Sequence, residues 1–149
     1  MAGGTKRTAR SETRQVAALP WRLDEGALWI LMITSRETRR WVIPKGGRMV
    51  GKTDPEAAAQ EALEEAGVKG VTDEHSIGVF RYAKGLKDGG QRQCVVSVYP
   101  MQVLIQLGHW PEAHQRERRW MTPDEAAAAV QEPDLAALIR DFAATPPVI

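Results

Sequence analysis

Residues Gly46 to Val68 read GGRMVGKTDPEAAAQEALEEAGV. Asp54 suits an N-cap, Pro55 the first helical position and Glu56 the first turn, and AAAQEALEEA between them and Gly67 is rich in strong helix formers. Gly67 is placed to end the helix in a left-handed conformation. Glu61, Glu64 and Glu65 therefore fall on one face, in the last turns of a short helix. That position is unfavourable, because the C-terminal end already carries partial negative charge and the like charges at 61 and 65 repel. A cation held between the carboxylates would reverse both penalties. Upstream, Pro44-Lys45-Gly46-Gly47 is a turn-forming stretch whose backbone can approach a phosphate or offer the Gly46 carbonyl to a metal. Carboxylates beside a glycine loop suit Mg²⁺, with Mn²⁺ as a second choice, better than zinc.

The same stretch resembles the Nudix box, G-x(5)-E-x(7)-R-E-U-x-E-E-x-G-U, where U is aliphatic. Gly46, Glu61, Glu64, Glu65, Gly67 and Val68 match, and Ala62 is a small residue at the first U. Lys52 stands where the pattern has Glu, and Gln60 where it has Arg. Flanking segments fit as well: WVIPKGG before the box, VKGV after it, and a distal ERRW at Glu117 to Trp120. The set is similar to the diphosphoinositol and diadenosine polyphosphate hydrolase branch. The resemblance implies an α/β fold, a mixed sheet sandwiched between helices, and hydrolysis of a phosphoanhydride in a nucleoside diphosphate linked to another group. It also implies metal ligation and catalysis by Glu61, Glu64 and Glu65, and polyphosphate contacts from Arg36, Arg92 and Arg118. Lys45 and Arg48 flank the glycines and join that substrate-binding set. Gln60 can donate a hydrogen bond to a carboxylate but not a charged fork. The two departures support a competing expectation, a catalytically weak nucleotide-binding or regulatory module.

Composition constrains the rest. A chain of 149 residues is read as one domain over 15–149, preceded by a disordered basic tail over 1–14 that holds Lys6, Arg7, Arg10 and Arg14. Net charge is +1, so bulk electrostatics does not call for nucleic acid, and the expected partner is a phosphorylated small molecule. The longest apolar run, Ala27 to Ile33, is too short to span a bilayer. With no signal-peptide core, the expected location is the cytoplasm. Cys94 is alone, so no internal disulfide forms.

Along the chain, strands are expected at Gln15 to Pro20, Ala27 to Thr34, Trp41 to Ile43, Ser76 to Ala83 and Arg118 to Met121. Cys94 to Leu107 is a long strand expected to break or bulge near Pro100. Asp24-Glu25-Gly26 is a turn, Lys84 to Gln91 a hairpin loop, and helices start at Thr122-Pro123 and Pro133. His75, His109 and His114 lack metal-ligand spacing. Glu112 and Glu117 are candidates for an extra carboxylate outside the box.

Overall fold

A computed structural model describes residues 12–147. Its elements are β1 (Glu12–Asp24), β2 (Ala27–Thr34), β3 (Trp41–Val42), β4 (Lys45–Gly47), α1 (Asp54–Glu61), a π-helical turn (Ala62–Ala66), β5 (Val68–Thr72), β6 (Gly78–Gly85), β7 (Gln91–Gln106), β8 (Arg118–Met121), α2 (Pro123–Ala129) and α3 (Pro133–Ala144). One mixed sheet runs through the molecule. Its order is β3-β2-β1-β7-β5, with β4 on β1, β6 on β7 and β8 on β2. Among the described residues only β1 and β7 pair in parallel, from Glu12 opposite Gln93 to Trp21 opposite Gln102.

Strand alternation sends side chains to two cores. Ala17, Leu19 and Trp21 of β1 join Ile30, Phe80 and Val96 under α2 and α3, which contribute Ala126, Leu135 and Ile139. Val16 and Ala18 face the other way, onto Ala57, Ala58, Ala62 and Ala66 of α1 and its π turn. The expected sandwich of a mixed sheet between helices is what the chain forms.

Local chemistry explains the joints. The β1–β2 loop is Glu25-Gly26 with φ of 52° and 82°, a two-residue turn of the kind that matches strand twist. Helix α1 is capped by Thr53, not Asp54: Thr53 Oγ1 accepts from Glu56 N–H at 3.3 Å, and Glu56 Oε1 accepts from Thr53 N–H at 2.8 Å. The T-D-P-E spacing makes this reciprocal pair, which Asp54 cannot make. Thr122 and Glu125 repeat it at α2.

Several strand expectations change: Lys45–Gly47, expected within a turn, is strand β4, and the loop expected over 84–91 shortens to 86–90. β1 starts at Glu12, so Glu12, Thr13 and Arg14 belong to the sheet rather than to the tail. Residues 1–11, with Lys6, Arg7 and Arg10, lie outside the described residues. Val68–Thr72 is a strand, its pattern obscured by a register shift at Lys69/Gly70. β6 begins at Gly78, two residues after Ser76. β7 runs through Pro100 without a break. β6 pairs with it up to Val98 and β5 from Met101, so Pro100 sits between successive neighbours, where its missing N–H leaves no ladder bond unmade.

Candidate active site

The β4 strand lies antiparallel on Gln15 to Ala17 of β1, and this sets Gly46 over α1. Buried alanines let α1 lie close to the sheet. The contact is tight: a Cβ on Gly46 would overlap the Glu61 carboxylate. The π turn follows at once, and Gly67 closes it at φ 68°, its N–H reaching the carbonyls of Ala62 and Leu63. Such wide turns inside helices recur at functional sites.

Glu61 and Glu65 meet in this pocket and share a hydrogen bond. Glu65 is buried, 8 % exposed. Its Oε1 accepts from Lys45 N–H at 3.3 Å and lies 3.6 Å from Arg116 Nη2. Burial pushes Glu61 up to about 8, helped by the hydrogen bond to Glu65 and the charges of Glu65, Glu64 and Glu112. Burial also raises Glu65, against the pull of Arg116. Both shifts favour a proton held by the pair as a whole.

A polar cleft of about 390 Å³ opens above the pair. Among the residues lining it are Arg36, Lys45, Gly46, Tyr82, Glu112 and Arg116. The Lys45 ammonium rests 4.9 Å from the Tyr82 ring centre, and burial lowers its pKa against the attraction of Glu65 and Glu132. Tyr82 Oη donates to Gln15 Oε1 at 2.8 Å. Arg36 is exposed at the rim, donating to Gln115 Oε1 at 3.3 Å.

The other expected site residues lie elsewhere. Glu64 is turned to Gln60, whose Nε2 donates to Glu64 Oε2 at 2.6 Å. Lys52 is exposed and shares with Gln60 a separate hollow beside β5. Arg48 pairs with Asp54 at 2.9 Å, at the start of α1. Arg92 is exposed at the start of β7, donating to Thr13 Oγ1 at 3.4 Å. Arg118 is spent on structure: it donates to the carbonyls of Ala66, Gly67 and Leu107 and stacks 3.8 Å from the Trp110 ring centre. Glu112 reaches the cleft, whereas Glu117 pairs with Arg39 on the surface at 3.6 Å.

Arg116 was not foreseen. Its spacing of four from Glu112, both in the stretch before β8, was the available signal.

Among the described residues no three His, Cys, Asp or Glu side chains converge as a ready-made metal cage. What is present is a buried carboxylate, Glu65, beside a half-buried one, Glu61, under a glycine whose missing side chain leaves the space that the Glu61 carboxylate enters. A small oxygen-seeking cation replacing the proton of this pair fits the donor set, because Mg²⁺ binds through one or two carboxylates and completes its shell with water and substrate phosphate.

Comparison with known proteins bears on the family and the fold. The NUDIX domain family model matches residues 12–142. Nudix hydrolase 18, mitochondrial, of Arabidopsis thaliana is 33 % identical over 138 residues, covering 86 % of this chain and 74 % of the relative. Nudix hydrolase 12, mitochondrial, of the same plant is 39 % identical over 102 residues, 66 % of this chain, and that match spans 50 % of the relative's length. The human diphosphoinositol polyphosphate phosphohydrolase 3-beta is 29 % identical over 120 residues, covering 79 % of this chain and 69 % of the relative. In fold, a C. elegans Ap4A hydrolase superposes with a TM-score of 0.63 at 19 % identity, over 89 % of this chain and 96 % of that one.

Proposed function

The chain belongs to the Nudix family, and on that premise we propose that it hydrolyses a phosphoanhydride bond in a nucleoside diphosphate linked to another group, using a divalent metal. The observation that carries this is the Glu61–Glu65 pair, set beneath Gly46 in a cleft that Arg36, Lys45, Lys84 and Arg116 also line. Diadenosine polyphosphates are the leading substrates and diphosphoinositol polyphosphates the second.

When bound, Mg²⁺ or Mn²⁺ supplies a Lewis acid that offsets phosphate charge and lowers the pKa of a coordinated water. Glu61 and Glu65 would hold it, with Glu64 and the Gly46 carbonyl as further candidate ligands. The chain's own groups do the rest. Lys45 and Arg36 face the cleft and offer donors to phosphate oxygens. Lys45 is partly desolvated, so its charge acts at short range with little screening. Deprotonated Glu61, or Glu112 elsewhere in the lining of the same cleft, is the candidate general base that takes the proton of an attacking water. Arg48, Arg92 and Arg118 remain proposed substrate contacts only if substrate extends past the cleft, and Arg118 would first have to release its carbonyls.

Among the described residues no helix is long and apolar enough to cross a membrane, and the cytoplasm is the proposed location.

The test is product analysis with Mg²⁺ and then Mn²⁺ on diadenosine polyphosphates, ADP-ribose, nucleoside triphosphates and a diphosphoinositol phosphate, with Glu65→Gln alongside. Metal-dependent cleavage of one class, lost in the variant, is expected. Nucleotide binding without cleavage would replace this reading by that of a regulatory module.

A further inference from the structure

We propose that Arg116 is a positioning residue for the acidic pair, supplying from outside the box the guanidinium that Gln60 does not provide inside it. The inference rests on the metal-dependent reading above. Each side-chain nitrogen of Arg116 has a partner. Nε donates to Glu112 Oε1 at 2.7 Å, Nη1 donates to the Thr34 carbonyl at 2.9 Å, and Nη2 faces Glu65 Oε1 at 3.6 Å. The side chain is 8 % exposed, so these charges meet with little water between them.

The mount is rigid. Thr34 is 2 % exposed, its carbonyl ends β2, and its Oγ1 accepts from Glu117 N–H at 2.9 Å. Glu112 N–H donates to the Glu64 carbonyl at 3.1 Å, and Trp110 Nε1 donates to the Glu65 carbonyl at 3.0 Å. The 110–116 loop is therefore tied to the backbone of the π turn and to one of its carboxylates. Gln60, by contrast, gives Glu64 a neutral hydrogen bond and does not line the cleft. Arg116 thus sets the orientation of Glu65 toward Glu61 and keeps a charged Glu112 at the cleft wall. A planar fork does this by geometry as well as charge, which lysine cannot reproduce.

The experiment measures substrate-free Mn²⁺ affinity by calorimetry and steady-state kcat and KM, for the full chain, Arg116→Lys, Glu112→Gln and Arg36→Gln. Arg116→Lys is expected to weaken Mn²⁺ binding and to lower kcat, each by about tenfold or more, with KM nearly unchanged, the range found when groups that orient metal ligands are altered. Arg36→Gln, at the exposed rim, is expected to raise KM and leave Mn²⁺ binding alone. Unchanged Mn²⁺ affinity and kcat in Arg116→Lys would overturn the proposal, and so would a rise in KM alone, which would make Arg116 a phosphate contact. If Arg116→Lys shows no cooperative melt, Glu112→Gln decides on the same readouts: it replaces the charged acceptor of Nε by a neutral amide oxygen, and unchanged Mn²⁺ affinity and kcat would sink the idea. An unaltered chain that binds Mn²⁺ but cleaves nothing defeats the hydrolase reading and leaves the Arg116 test standing. One that binds no Mn²⁺ defeats both.

Discussion

Gln60 Nε2 donates one neutral hydrogen bond, 2.6 Å long, to Glu64 Oε2, from the position where the box pattern has arginine. The acidic cluster therefore keeps a partner at this point but loses a positive charge. Lys52, the other departure, is exposed on the same flank of α1.

Restoring the pattern should speed the reaction. Charged hydrogen bonds are roughly twice as strong as neutral ones, a gain of about 1 kcal/mol. If that gain is felt in the transition state, Lys52→Glu with Gln60→Arg raises kcat about fivefold. Turnover assays with saturating Mg²⁺ check this, and an unchanged kcat would show that the box substitutions are silent.

Gly46 and Gly47 should separate cleanly. A Cβ at Gly46 meets the Glu61 carboxylate, whereas at Gly47 nothing lies within 4 Å. Gly46→Ala is expected to cut kcat by on the order of tenfold or more, because displacing a reacting group by a fraction of an ångström is costly. Gly47→Ala should stay within about twofold of the parent, because Gly47 also lines the cleft but its added Cβ meets no other atom. Equal effects would remove Gly46 from the site.

Metal-free stability should fall as pH rises. Glu61 ordinarily titrates at 4.5 and in the folded chain at about 8. Between those values the folded state holds a proton that the unfolded state has lost, so the unfolded state is favoured progressively over that window. Below 4.5 the contribution is fully present, and above about 8 it is gone. Thermal melts with chelator from pH 4.5 to 8.5 should show a declining Tm. Mg²⁺ or Mn²⁺ should recover Tm most at the alkaline end, and Glu61→Gln should flatten the metal-free profile. A profile that rises with pH would contradict the pairing of Glu61 with Glu65.

Arg118→Ala should act on stability rather than on substrate. It removes charged donors from the carbonyls of Ala66, Gly67 and Leu107, at a cost of about 2 kcal/mol. For a chain of this size that is a drop in Tm of about 4–8 °C. KM should move little, in contrast with Arg36→Gln. A large KM increase without loss of Tm would return Arg118 to the substrate.

How much of this was legible varies with distance along the chain. The box helix, the Glu25-Gly26 turn and the β2 and β8 boundaries are local, and each was readable from a few neighbouring residues. Val68–Thr72 was hidden by Lys69-Gly70, where the register shifts and exposed residues interrupt the alternation. The start of β1 was hidden because Glu12 and Arg14 are exposed, and only pairing with β7 makes them a strand. Within the site, Glu61 and Glu65 were visible as an i, i+4 pair, but the diversion of Glu64 to Gln60 was not. Arg116 and Arg118 look alike in QRERRW, since two residues apart in an extended chain they point the same way. What separates them is their surroundings. Arg116 meets the carboxylates of Glu65 and Glu112 as well as the Thr34 carbonyl, whereas Arg118 donates to the main-chain carbonyls of Ala66, Gly67 and Leu107.

The parallel ladder of β1 with β7 joins segments about 80 residues apart, and four of the other six strands pair directly with one of these two. Closing so large a loop is entropically costly and is repaid only when the long pairing is in place. Both halves of the cleft depend on it, because Gly46 is carried by β1, while β7 holds β6 and its Tyr82. Refolding should therefore be slow for a domain of this size. Tryptophan and nucleotide-binding signals should recover together in a late step, after the helices have formed.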